Sequence, residues 1–338
     1  MKGNRFLRCA LGLTLCAIAC GGQNSEGDGA GAGSGDGGMG GGLCTPGQTY
    51  CSGEDGDEIW ECNGDGTGGR YVESCDGALA CSRGECLTAC EAAANDPSNV
   101  GCEFWAVDLD NEAFETELGF SNDAAAQQYA VAVANENDYE VAVTVTRNDA
   151  RFGDPAQEVV VSTVTIAAND MMRIDLPQRE VDGSMAQNGP YNRNSGSGTF
   201  VSSHAYRIQS SGPVVAYQFN PIEQQYSNDA SVLIPIQALG SHYYVIGWPT
   251  ANPCGAPEGD PLYQPSIPDH GAVTILGVYP DTHVSVVPTH PVAGSAGGSG
   301  VAVSATAAGV TMTFDIGAYD VVNLESDQPQ VPIFDCFN

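Results

Sequence analysis

Basic side chains are scarce. Of 338 residues only 11 are Lys or Arg, against 42 Asp or Glu, and the formal charge is −31. The one lysine is Lys2, and from Cys20 onward the chain holds 8 arginines against 42 acids, a net −34. Clustered Lys and Arg are what release counterions from a phosphate backbone, so nucleic-acid binding is excluded. The same shortage excludes docking on anionic lipid through a basic patch. It leaves no amine for a Walker lysine or a Schiff base. Catalytic signatures are missing as well: there is no Gly-x-Ser-x-Gly, no His-Glu-x-x-His and no Gly-x-x-x-x-Gly-Lys. Of the five histidines, His204 and His242 stand beside Tyr206 and Tyr243 at apolar strand patterns. His283 and His290 lack metal-pair spacing. The expectation is a protein that is not an enzyme and needs no cofactor, calcium apart.

What is present begins with an address. Residues 1–19 combine Lys2, Arg5 and Arg8 with an apolar run from Cys9 to Ala19. That is the layout of a secretory signal peptide, too short for a membrane span. Ala17-Ile18-Ala19-Cys20 resembles a bacterial lipobox, which implies cleavage before Cys20 and lipidation of its thiol. Ala17 stands where such motifs usually have Leu. An ordinary signal peptide is the plainer alternative. No Asp follows Cys20, and the resemblance then implies an outer-membrane, cell-surface protein of a Gram-negative bacterium. Residues 20–42 follow as a tether, with 12 glycines between positions 21 and 42. Such a stretch cannot bury apolar surface and reaches roughly 25 Å as a flexible coil.

Residues 43–102 form a cysteine-dense module with Cys44, Cys51, Cys62, Cys75, Cys81, Cys86, Cys90 and Cys102. The even count, short span and exported context point to disulfides, with 105 connectivities left open. Zinc is disfavoured, since no Cys-x-x-Cys and no His lies in the segment. Calcium has weak candidates. Asp55, Asp57 and Glu58 lie close together, and Asn63-Gly64-Asp65-Gly66-Thr67 imitates the start of a calcium loop without its closing Glu. Asp108, Asp110 and Glu112 repeat the alternation. A solvated acidic turn is the bland reading of all three.

From residue 129 apolar and polar residues alternate in short runs separated by Gly, Pro, Asn and Asp, as in an all-β sandwich. VAVANENDYEVAVTV, VVVSTVTI, MMRIDL, AYRIQSS, PVVAYQF, SVLIPI and YYVIGWP all read as strands. Residues 87–96 and 121–128 each have room for a short helical turn. A repeat is visible: Val131–Thr144 aligns with Thr274–Val287 at an offset of 143, and Val164–Ile174 with Phe314–Leu324 at an offset of 150. The expected fold is all-β, with tandem sandwich-like units at 103–240 and 241–338 behind the disulfide module. The second unit lacks a counterpart of AYRIQSSGPVVAYQFNP and reads as truncated. Cys254 and Cys336 could bridge it.

The loop after PVVAYQF offers Phe219, Asn220, Tyr226, Asn228 and Asp229 as binding candidates, since exposed loops on a rigid sandwich carry recognition. Asx-turns that merely close the loop are the alternative. VAVANENDYEVAVTV, PVVAYQFNP and YSNDASVLIPIQAL followed by YYVIGWP resemble the N-terminal domain family of the IgGFc-binding protein, which also occurs in bacterial surface lipoproteins. The resemblance spans about residues 100–330. It implies protein binding or adhesion, with an unknown surface protein or glycan as partner and contact with the membrane through the lipid anchor only. A surface hydrolase acting on glycans or proteins, or a purely structural envelope lipoprotein, are the alternatives.

Overall fold

The computed structural model describes residues 44–53, 56–77, 79–95, 98–111, 113–115, 121–185, 197–223, 229–247, 270–295 and 301–327. The signal peptide, Cys20, the tether, Asp55, Glu112, Tyr226, Asn228, Cys254 and Cys336 lie outside them.

The fold is all-β. The cysteine module holds β1 (Thr49–Ser52), β2 (Glu58–Cys62) and β3 (Gly69–Ser74) in one antiparallel sheet, then the hairpin β4 (Leu79–Ser82) and β5 (Glu85–Thr88). Few of its side chains are buried, Ile59, Cys62 and Cys75 among them. So small a core needs covalent help. Four disulfides supply it: Cys44–Cys62, Cys51–Cys81, Cys75–Cys86 and Cys90–Cys102. Two of the acids raised for calcium here serve the local chain. Asp65 accepts the Thr67 amide (3.1 Å), and Glu58 accepts the Trp60 indole (2.8 Å). Helix α1 (Ala89–Ala94) falls where a helical turn was expected. Its Thr88 and Glu91 form a capping box, each closing on the other's amide (3.2 and 2.8 Å). The last disulfide ties α1 to β6 (Gly101–Ala106), the first strand of the body.

The body continues with the hairpin β7 (Ala113–Glu115) and β8 (Ser121–Asp123), so residues 121–128 hold a strand and a turn rather than a helix. Then come β9 (Ala130–Asn135), β10 (Val141–Asn148), β11 (Glu158–Ile166), β12 (Asp170–Asp175), β13 (Phe200–Ser202) and β14 (Tyr206–Asn220). The fifteen-residue β14 organises the first unit. Its first half pairs with β10 on one side and β6 on the other. Its second half pairs with β9 and with β15 (Asp229–Val232). One strand thus belongs to two sheets, and it changes partners at Ser211-Gly212-Pro213, a way to turn a sandwich corner. Gly212 permits the passage: a Cβ there would meet the Tyr139 hydroxyl at 3.0 Å and Val141 at 3.1 Å. Between the sheets, alternate residues Val131, Val133, Val141, Val143 and Val145 pack with Phe104, Ile166, Tyr206 and Ile208. Period-2 patterning buries one face of β10, whereas the central strand β9 is buried on both.

A short 3₁₀ turn at Ile236–Ala238 precedes the second unit. Here β16 (Ala272–Leu276) pairs with β19 (Val321–Glu325), and β17 (Thr282–Val286) with β18 (Met312–Ile316). These copy the pairs β9 with β12 and β10 with β11. The repeat is thus present in the strands, with two offsets corrected. Ile174 faces Val131 and Leu324 faces Val273, so Val131 corresponds to Val273, at 142 rather than 143. Val143 faces Val164 and Val284 faces Phe314, which gives 141 for that strand. A one-residue slip exchanges the faces of a strand, so only the corrected register places Val273 on the face its counterpart uses, whereas the two-residue correction at Val284 leaves its face unchanged. β13, from the first stretch of sequence, pairs with β19. Among the described residues no strand fills beside β16 and β17 the place that β14 fills in the first unit. A third apolar cluster joins the units: Trp105, Val107, Val181 and Ala205 meet Tyr319 and Val321.

Candidate functional site

Two places bear on function. The first is the β14–β15 hairpin and the chain after it. The structure brings three of the loop candidates together here: Phe219 pairs with Ala230, and Asn220 with Asp229. Asn220 is buried and works within the fold. Its amide donates to the Leu109 carbonyl, and its own carbonyl accepts from the Asn111 amide (2.7 Å). Gln218 beside it accepts the Val107 amide and the Tyr129 hydroxyl, both at 3.2 Å. Phe219 is half-buried, and Asp229 is exposed on β15.

Past β15, Leu233 plugs the first core. The chain then lies against β6, with Gln237 donating to the Val100 carbonyl (3.0 Å). From Leu239 to Gly247 it forms no strand, although YYVIGWP alternates well enough to be read as one. Among the described residues no strand pairs with it, and residues 239–247 are all exposed. Tyr244 is 100% exposed and Ile246 96%, with Tyr243 and Val245 each about two-thirds exposed. Val232, Ile234 and Leu239 extend this apolar surface back toward β15. Single exposed apolar residues are ordinary, whereas a continuous run of them marks an interaction surface.

The second place is the segment between β12 and β13. Arg179, Glu180, Asp182 and Ser184 are all buried there, under the end of β6. Asp108 accepts the Arg179 amide (2.8 Å). Asp182 accepts the Ser184 amide (2.7 Å) and hydroxyl (2.6 Å). Gly183, with φ at +92°, makes that turn possible, and a Cβ on it would strike the Phe200 ring at 2.9 Å. One carboxylate oxygen from each of Asp110, Glu180 and Asp182 lies within 4.8 Å of the others. Glu180 has no exposed surface, and neither of its oxygens has a hydrogen-bond partner. Burial, reinforced by Asp182, Asp108 and Asp110, pushes the Glu180 carboxyl up to about 11. Burial likewise raises Asp108 to about 8, against the pull of the Arg179 amide. Arg179 faces elsewhere, donating to the Asn148 carbonyl (2.8 Å) and lying over the Tyr206 ring. His204 is buried, donates from Nδ1 to the Glu180 carbonyl (2.8 Å), and burial lowers it to about 4.

Of the sequence candidates for calcium, Asp108 and Asp110 are therefore brought together, and Asp108 is a buried acid rather than a solvated turn. Glu180 and Asp182 were missed. The signal available was Arg-Glu-Val-Asp-Gly, where acids flank a buried Val181. It resembles any polar linker until the fold places it under β6. Among the other histidines, His283 pairs across the strand with Asp315 (2.7 Å), both exposed. Nearby, a cavity of about 500 Å³ is lined by Phe152, Val201, Val303, Met312 and Phe314, with Asp315 its one carboxylate.

Residues 229–330 match the family described as IgGFc binding protein. That match begins on β15 and covers the exposed run and the second unit. It is narrower than the resemblance read from about residue 100. No curated protein matches the chain. One solved structure, described as the crystal structure of Thermotoga maritima 1070, is 12% identical. That likeness covers 40% of this chain and 95% of the other, with a TM-score of 0.24. At that score it bears on neither fold nor function.

Proposed function

We propose that this chain is a non-enzymatic recognition protein displayed outside the cell. Lipid on Cys20 holds it at the outer membrane, residues 21–42 act as the tether, and the apolar surface from Val232 to Ile246 docks a protein. The carrying observation is the run Tyr243-Tyr244-Val245-Ile246, whose side chains all face water within the stretch that matches the family. Amphipathic Tyr side chains beside aliphatic ones are what interface hot spots are made of. The family description favours a protein ligand. Immunoglobulin itself does not follow from it, because a fold hosts many ligands. The partner is a protein with an apolar patch.

The test places a photo-crosslinking residue at position 244 and exposes the purified chain to surface-protein extracts. One or a few specific adducts are expected, and Tyr244→Ser with Ile246→Ser should lower capture at least tenfold while the melting temperature stays put. Equal capture by the double variant would end the reading. In cells, Cys20→Ser should move the protein out of the membrane fraction; unchanged partition would remove the anchor from the proposal.

A further inference from the structure

We propose that Asp110, Glu180 and Asp182, backed by Asp108, bind one calcium ion. Acids gathered at a surface are ordinary and point to nothing alone. Glu180 is the observation that points to a ligand, being fully buried with both carboxylate oxygens unpartnered and set among the other acids. A carboxylate withdrawn from water without a donor is strongly unfavourable. Among the described residues the nearby donors point elsewhere. The Ser184 hydroxyl goes to Asp182, and the Arg179 guanidinium is directed at the Asn148 carbonyl and the Tyr206 face, with its Nε and Nη1 unpartnered. A proton on Glu180 would cancel its charge alone and leave those of Asp110 and Asp182 beside it. A cation answers all of these acids together.

The donor set selects the ion. It is all carboxylate oxygen, without thiolate, and the Nδ1 of the one adjacent imidazole is spent on a backbone carbonyl. That composition suits a hard cation. Several protein carboxylates gathered at one point suit calcium, which takes about six to eight oxygen ligands, better than magnesium, which keeps several of its waters. Asp110, on the exposed side, forms the mouth. The ion would join the chain leaving β6 to the segment whose Val181 sits in the seam between the units. Its role is therefore to fix the seam, independently of what the exposed run docks.

The purified chain, stripped with chelator, is titrated with calcium chloride by calorimetry. It is also melted in millimolar calcium, in magnesium, and in sodium chloride of equal ionic strength. We expect one ion per chain and a melting temperature at least about 5 °C higher in calcium alone. Glu180→Gln keeps the shape and removes the buried charge. It should lose at least tenfold in affinity and the calcium response, while melting in chelator no lower than the parent. Asp76→Asn, an exposed acid in the cysteine module, should keep both. If Glu180→Gln does not fold, Asp110→Asn carries the same test. The proposal is overturned by absent stoichiometric binding, by equal shifts in sodium chloride or magnesium, or by a charge-removing variant that binds calcium as the parent does.

Discussion

The two units use the same pair of hairpins and stabilise them differently. In the first, β9 and β10 flank the long strand β14, and sixteen of the described residues form one buried core between the sheets. In the second, β16 and β17 have one described partner each, and Ile275, Val284, Val286 and Phe314 are only partly buried. The described strands of the second unit also lean on the first. β13 extends its sheet, and Tyr319 reaches into the first unit. Among the described residues one repeated sequence pattern thus packs around a long central strand in one place and as two hairpins set against that sandwich in the other. The pattern specifies strand pairs, and the partner strand decides how much each pair can bury.

Matched deletions should break this comparison where it is strongest. Phe104 has no exposed surface and sits in the first core. Phe104→Ala should cost about 3–5 kcal/mol, the transfer of the ring plus the cavity left behind. Phe314→Ala removes the same ring from a half-buried site in the second unit and should cost less than half of that. Urea unfolding of both variants with the disulfides intact is the measurement. Equal losses would show that the second unit has as complete an interior as the first.

The alternation that marks these strands was legible in the sequence, because a half-buried strand must repeat every two residues. The even cysteine count in an exported segment was equally plain. Register was not. Val131 aligns with Thr274 as comfortably as with Val273 in a period-2 pattern, and only pairing with Leu324 decides. The start of YYVIGWP shows the opposite failure: it has strand composition, yet among the described residues no strand pairs with it. The site residues were legible in proportion to their locality. Asp108 and Asp110 alternate within three residues, whereas Glu180 lies some seventy residues onward and joins them only because the segment after β12 folds under β6. Disulfide connectivity was out of reach for the same reason.

The seam gives a smaller and more specific effect. Tyr319 is buried, its ring set edge-on to Trp105 at 4.6 Å. Its hydroxyl accepts from Thr146 (2.7 Å) and donates to Glu158 (2.9 Å). Tyr319→Phe keeps the ring contact and leaves the buried Thr146 hydroxyl without its partner. The expected loss is about 1–2 kcal/mol. Thr146→Val should suppress most of that loss in a double-mutant cycle, because the two groups depend on each other across the units. Additive losses would mean that the bond between Thr146 and Tyr319 contributes nothing to the seam.

The smallest effect isolates the turn that both units share. Asn169 and Tyr319 occupy equivalent places before β12 and β19, and both adopt the left-handed conformation, at φ of 53° and 74°. Asn enters that region at little cost, whereas a residue with a bulky side chain does so only under compulsion. Asn169 is exposed, and its amide is bonded to the Asn137 carbonyl (3.0 Å), a contact that any residue other than proline can make. Asn169→Ala should therefore cost about 1 kcal/mol through backbone strain alone, and Asn169→Gly should be neutral within about half a kcal/mol. Glycine at 319 has the same backbone freedom to offer. It should nevertheless destabilise, since it deletes the ring and hydroxyl that hold the units together. If glycine instead behaves alike at both positions, the left-handed turn of the second unit is set by the hairpin itself, and the burial of Tyr319 is not what compels it.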